Sequence, residues 1–389
     1  MERNYILFDT PARELLYPFT HTRPVAACRI GILTIREKWE RWLNAAVSHL
    51  TVPYLQQKYP LIRNEAVPAV LIRGDVLPDE ALVREIAALQ PGQGLYQGDE
   101  LIAKVTDGSD TDIAPVERKE YLVGISVVRR PWDFFLLNDK ELRSDYTLVT
   151  AGRTSAPLSD TNKVSGEENI FLEEGAVVEH SVLNAVTGPI YIGRNAEVME
   201  GCLVRGPLAM GEKAVLKMGT KVYGATTLGP GSVGGGEIKN VVMFGYSNKG
   251  HDGYLGDAVI GEWCNLGANA TSSNLKNNGS TVRVWMESLQ RAEPAGIKCG
   301  LLMGDYSRCG IGALLNTGTV IGACCNIFGA DFPPKFVPSF SWGGGAGIER
   351  YRIEQAIRDI ETWMRFKGQQ MTEADKQVLE VLFAKLTDV

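Results

Sequence analysis

The chain has 389 residues, 44% hydrophobic and 22% charged, which is the make-up of a folded protein and not of a disordered or collagen-like one. At about 150 residues per domain it can hold two or three domains with cores of their own. Forty basic side chains against 46 acidic ones give a formal charge of -6, so neither nucleic acid nor an anionic membrane is an expected partner.

The run Tyr5-Ile6-Leu7-Phe8 is too short for a signal peptide, and no apolar stretch approaches the roughly 18 to 20 residues of a membrane span, so the cytosol is the expected location. The seven cysteines include no CxxC pair, which suits reduced core thiols better than disulfides or zinc.

Residues 1–150 read as a small α/β layer domain. Strands are expected at Tyr5–Phe8, Ala69–Arg73 and Tyr121–Val128. Helices are expected at Glu37–Leu50 and, behind an acidic cap, at Asp79–Leu89. The polar stretch 151–168 reads as a linker. Of the 42 glycines, 34 fall between 151 and 350, so the middle of the chain is built differently.

From Val186 apolar residues recur at every sixth position: Ile192, Val198, Val204, Met210, Leu216, Val222 and Leu228 follow. Neither a helix nor a simple strand has that period. A triangular coil of three short strands does, with one inward side chain on each face. A parallel β-helix is therefore expected over 169–340, with its register resuming at Ile260, Leu266, Ile321 and Ile327 and a loop thrown out near Lys276–Gly300. Residues 341–389 form a C-terminal helical segment, with helices at Ile348–Phe366 and Thr372–Leu386 that brace the coil.

The segment from Lys249 to Gly261, with Gly250-His251 followed by Tyr254-Leu255-Gly256-Asp257-Ala258, resembles the acetyltransferase motif of the bifunctional N-acetylglucosamine-1-phosphate uridyltransferase / glucosamine-1-phosphate acetyltransferase family. Lys239 and Lys221 fall where that family keeps a sugar-phosphate lysine and an arginine, and Asn274 resembles its downstream asparagine. The chemistry agrees with the resemblance. Acetylating a sugar amine needs a base of near-neutral pKa, which points to His251, and a sugar 1-phosphate needs cations to clamp it, which points to Lys221 and Lys239 with Tyr254 beside them. Lysine in place of arginine at 221 lacks the bidentate fork.

The front of the chain resembles sugar-phosphate nucleotidyltransferases through Phe8-Asp9-Thr10-Pro11-Ala12-Arg13 and Leu16-Tyr17-Pro18-Phe19-Thr20, without that family's loop glycines. Phosphate binding would then fall to Arg13 and Arg23. Asp75, after a buried strand, and Asn138 are the candidate Mg²⁺ ligands.

The resemblance implies a Rossmann-like nucleotidyltransferase domain, a left-handed β-helix and a homotrimer with acetyl sites between coils. It also implies the substrates: acetyl-CoA, a sugar phosphate, and UTP or dTTP. Two rival functions stand beside it. One is a nucleotidyltransferase alone, of the thymidylyltransferase kind. The other is a trimeric protein that binds sugar nucleotide without turning it over.

Overall fold

The computed structural model describes residues 3–107, 111–112 and 117–387. The chain divides into two compact units: residues 1–16, 23–28 and 33–129 form the first, and residues 17–22, 29–32 and 130–389 the second. By its contacts the chain divides at 129/130, and two short N-terminal segments belong to the second unit.

The first unit is built on a six-stranded sheet. Its strands are β1 (Asn4–Phe8), β2 (Val47–Leu50), β3 (Ala69–Arg73), β4 (Gln93–Gln97), β5 (Glu100–Thr106) and β6 (Glu117–Glu120), in the order β2-β1-β3-β5-β4-β6. The first three are parallel, and Ile6, Leu7, Val70, Leu71 and Ile72 are buried on them. Helix α1 spans Ile35–Leu43 behind a capping box in which Thr34 and Glu37 bond each other's backbone N–H. The helix expected to run on to Leu50 stops here. Asn44 takes a left-handed φ of 49°, and the chain turns into β2. Helix α2 (Glu80–Ala88) begins at Asp79, whose side chain accepts from Leu82 N–H. The strand expected at Tyr121–Val128 shrinks to Ser126–Val127.

The second unit is a parallel β-helix of the left-handed type, followed by C-terminal helices. Ile190 pairs with Leu208, and Leu208 with Thr226, so one coil takes 18 residues, three hexads. Ile192, Val198, Val204, Met210, Leu216, Val222 and Leu228 all point into one continuous apolar core. Val186, the first expected member, does not: it is 68% exposed, and its neighbour Ala185 is buried instead. The corner there is longer, because Ile170 pairs with Ile190 across a 20-residue coil.

The expected linker already belongs to the coil, since Lys163–Ser165 pairs in parallel with Val182–Asn184. The excursion near 276–300 carries an antiparallel hairpin, Arg283–Met286 with Arg291–Pro294.

Helix α3 (Asn138–Thr150) precedes the coil in the second unit. Helices α4 (Ile353–Phe366) and α5 (Glu373–Thr387) close it. Helix α4 starts later than expected because Gly347–Arg350 folds back on Ser341–Gly344 as a hairpin. Ala356, Ile360 and Met364 of α4 pack with Trp263, Tyr306 and Phe340 of the coil. Lys367, just past α4, donates to Gly231 O at 2.6 Å and Asn248 Oδ1 at 2.8 Å.

The segment Tyr17–Thr22 is also held within this unit. Tyr17 stacks on His21 at 3.8 Å, and Phe19 packs against Phe134 and Phe244. His21 Nε2 meets Glu287 Oε2 at 3.0 Å, and Thr22 donates to Asp305. Among the described residues no helix is long and apolar enough to cross a membrane.

Candidate functional site

In the first unit Phe8 and Arg73 lie side by side at the carboxyl ends of β1 and β3, where open α/β sheets place ligands. Asp9 and Gly74-Asp75 follow them. A Cβ on Gly74 would stand 3.2 Å from Phe8 O, and the Gly74 N–H donates to that oxygen at 2.9 Å. The two strand ends are thus drawn together.

Asp9 accepts from Thr51 Oγ1 at 2.6 Å and from Val25 N–H at 3.0 Å, and Arg13 Nε lies 3.3 Å away. Asp75 accepts from Arg73 Nε at 2.6 Å. Arg73 also donates to Glu100, which Arg129 holds from the other side at 2.7 and 2.8 Å. Burial pushes the carboxyls of Asp9 and Asp75 above the ordinary range against the pull of their arginines. Glu100 is held down to about 2, chiefly by its hydrogen bond from Arg129.

The crevice lined by Thr10, Arg13, Arg73 and Asp75 is narrow, with no room inside it for a water molecule. Arg13 therefore faces it as expected, but paired to Asp9, a residue the sequence reading passed over. Arg23 is buried. Asn138 lies in the other unit and is not a metal ligand there. Its oxygen accepts from Gly31 N–H at 2.8 Å and Thr227 Oγ1 at 3.2 Å, and its amide donates to Ala225 O at 2.9 Å. Both lone pairs of that oxygen are used. Among the described residues no group of three or more His, Cys, Asp or Glu side chains could hold a metal ion.

The second unit carries a polar face on its coil. Lys221, Glu237 and Tyr254 stack on successive coils, with Tyr223, Lys239 and Gly256 in the next outward column. The Tyr-Leu-Gly-Asp run can be read residue by residue. Tyr254 faces outward and Leu255 is in the core. Gly256 leaves room for the tyrosine ring, because a Cβ there would stand 2.1 Å from the Tyr254 hydroxyl. Asp257 takes a left-handed φ of 45°.

That turn aims the buried Asp257 carboxylate at Asn240 Nδ2 (2.8 Å), Lys239 Nζ (3.4 Å) and Asn274 Nδ2. Asn274 also donates to the Tyr254 hydroxyl at 3.0 Å. Burial and the nearby carboxylates hold the Tyr254 phenol protonated well beyond its usual range. The Tyr223 phenol, donating to Glu237 at 2.6 Å, is pushed up to about 12.

Lys239, Tyr254 and Asn274 are thus brought together as expected, through Asp257, and Lys221 shares their face. His251 is not on it. It sits on the corner turn between strands Asn248–Lys249 and Tyr254–Glu262, exposed, and lines a groove of about 660 Å³ on the neighbouring face. Lys217, Asn248, Asn265 and Trp363 line the same groove. Only the outward hexad positions could have flagged Lys217 and Asn248 in the sequence. Trp363, brought in by α4, left no signal there.

Residues 5–154 match the family model described as sugar nucleotidyl transferase. The front of the chain is thus similar to sugar nucleotidyl transferases. Similar curated proteins include a bifunctional protein GlmU of Methanocaldococcus jannaschii, 30% identical over 198 residues, 51% of this chain and 42% of the relative. Another is a bifunctional sugar-1-phosphate nucleotidylyltransferase/acetyltransferase of Sulfurisphaera tokodaii, 27% identical over 43% of this chain and 42% of the relative.

The chain spans about two fifths of the length of these relatives. Among solved structures, a UDP-N-acetylglucosamine acyltransferase from Campylobacter jejuni aligns with a TM-score of 0.36 at 14% identity, over 58% of this chain and 95% of that one.

Proposed function

We propose that the chain is a transferase of sugar nucleotide synthesis with two activities. The β-helix transfers an acetyl group from acetyl-CoA to glucosamine 1-phosphate, and the front domain couples the product to UTP. The observation that carries the first half is the face on which Lys221 and Lys239 stand on adjacent coils beside Tyr254 and Asn274. A rigid prism fixes two ammonium groups there for one phosphate dianion. His251, on the corner turn, is the base that takes the amine proton as nitrogen attacks the thioester carbonyl and coenzyme A leaves as the thiol.

Because His251 and Lys239 lie on neighbouring faces of one prism, a homotrimer suits this reading: one protomer's corner can meet its partner's lysine face. The seven cysteines are all buried and form no disulfide, which accords with a reducing, cytosolic setting.

In the front domain Asp75 would hold Mg²⁺, with Asp9 beside it. Two carboxylates at the strand ends suit an ion that keeps most of its waters, and the ion would neutralise charge on the nucleotide phosphates. Arg13 and Arg73 would then turn from their carboxylates to the phosphates.

A second reading is favoured by one observation: the small cleft already pairs Arg13 with Asp9 and Arg73 with Asp75. On that reading the front domain binds sugar nucleotide without turnover.

The test is to mix the purified full chain with acetyl-CoA and glucosamine 1-phosphate and follow free thiol, then to supply UTP or dTTP with Mg²⁺ and follow pyrophosphate. Thiol release that His251→Ala leaves unchanged removes the histidine from its role. Tight nucleotide binding with no pyrophosphate selects the second reading for the front domain.

A further inference from the structure

Lys249 belongs to the inward column of the coil, next in register to Gly234, which is next to Leu216. It is fully buried. An inward lysine among apolar side chains costs desolvation, and burial lowers the ammonium's pKa to about 8. The charge must therefore be held by something. An ammonium has three donors, and Lys249 Nζ meets three backbone oxygens: Gly235 O at 3.3 Å, Asp252 O at 3.0 Å and His251 O. Two of the three belong to the corner turn that carries His251. The titratable groups facing the ammonium are Asp252 and the buried Cys309 thiol.

The outer side of the same turn is seated on glycines. A Cβ on Gly235 would stand 2.5 Å from Gly250 C, and one on Gly236 would stand 2.8 to 2.9 Å from Gly253 O, Asp252 Cα and His251 O. Gly234, the third member of the run, keeps the column open where the lysine enters. A Cβ there would lie 2.9 to 3.0 Å from Leu216, Ile238 and Leu228. The run Gly234-Gly235-Gly236 and Lys249 thus fix one turn from two sides.

We propose that Lys249 is a positioning residue for acetyl transfer: its ammonium, tied to the carbonyls of Gly235, His251 and Asp252, holds the turn that aims the His251 imidazole. This rests on the reading of His251 as the base. A base misplaced by about 1 Å loses up to a hundredfold in rate while remote substrate contacts persist.

The experiment measures acetyl transfer and amide exchange by mass spectrometry on the full chain and on Lys249→Met. The expected result is a kcat at least about 10-fold lower with KM for acetyl-CoA within about twofold. Exchange over 250–253 should be at least about 10-fold faster, with 254–262 unchanged. Unchanged exchange over 250–253 overturns the proposal, as does a kcat within twofold of the parent.

If Lys249→Met does not fold, Lys249→Gln is judged by the same criteria. In the unaltered protein the 250–253 turn must also exchange more slowly than the exposed turn at 277–279; equal rates overturn the proposal. Absence of acetyl transfer in the unaltered protein would remove the reading of His251, while the exchange comparisons would still decide whether Lys249 anchors the turn.

Discussion

Asp257 Oδ2 lies 3.4 Å from Lys239 Nζ, and the same carboxylate is bonded by Asn240 and Asn274. Lys239 is therefore held out from the coil by a buried anion, with donors to spare for a second one. Lys239→Ala should raise KM for the sugar phosphate by about 10- to 100-fold, the value of one charge-assisted hydrogen bond of about 1.5–3 kcal/mol, and change kcat less. Steady-state kinetics of the acetylation step measure it, and an unaltered KM removes Lys239 from phosphate binding.

Gly253 is the last residue of the His251 turn. Its φ is +110°, and a Cβ would stand 2.3 Å from Ala270 O. That obstacle is backbone, which cannot swing aside. Gly253→Ala should cost about 1–3 kcal/mol from the dihedral alone, read as a lower urea midpoint. A midpoint equal to the parent's would show that the turn relaxes freely.

The acid side of the stability curve should reflect Glu100. Its folded pKa, about 2, is below the unfolded value, so its contribution is complete above about pH 4.5 and disappears as pH falls toward 2. Glu100→Gln should therefore lower the denaturation midpoint of the first unit at pH 7 and leave it unchanged near pH 2. An equal effect at both pH values contradicts the Arg73–Glu100–Arg129 linkage.

The alkaline side belongs to the coil. Burial pushes Cys309 up to about 11 and Cys299 and Cys325 to about 12, and raises Cys202, Cys264 and Cys324 as well. Folded-state values above unfolded ones mean that the stability is complete below about pH 9 and is lost as pH climbs toward 12, by about 1.4 kcal/mol per thiol per pH unit. Lys249 and Lys367, both lowered to about 8, pull the other way but are fewer. Denaturant midpoints under reducing conditions should fall between pH 9 and 11; a rise would mean that the lysines prevail.

The coil was legible because one inward side chain per six residues is a period no other common fold imposes, and seven of the eight expected positions are buried. Val186 failed because a lengthened corner shifts the phase, and corners leave no apolar mark. At the site, residue type and spacing pointed to Lys239, Tyr254 and Asn274. They did not point to Asp257, whose meaning comes from a left-handed turn and from partners 17 residues away on either side. Asn138 misled because its surroundings, Gly31, Ala225 and Thr227, are assembled only by folding.

Arg13 stays at the strand ends, and the Tyr-Pro-Phe-Thr run after Leu16 is held in the coil unit by its aromatic contacts. Aromatic residues in a short loop carry no signal of which core will take them.

That strap has a consequence for the coil. Phe19 packs against both Phe134 and Phe244, His21 meets Glu287 and Thr22 closes on Asp305, so a fragment starting at residue 130 would expose an aromatic seam and lose two polar anchors. A coil expressed without this strap should therefore be less stable than the same coil in the full chain. Residues 17–22 fold as part of the coil unit although most of the first unit lies between them and the coil in sequence.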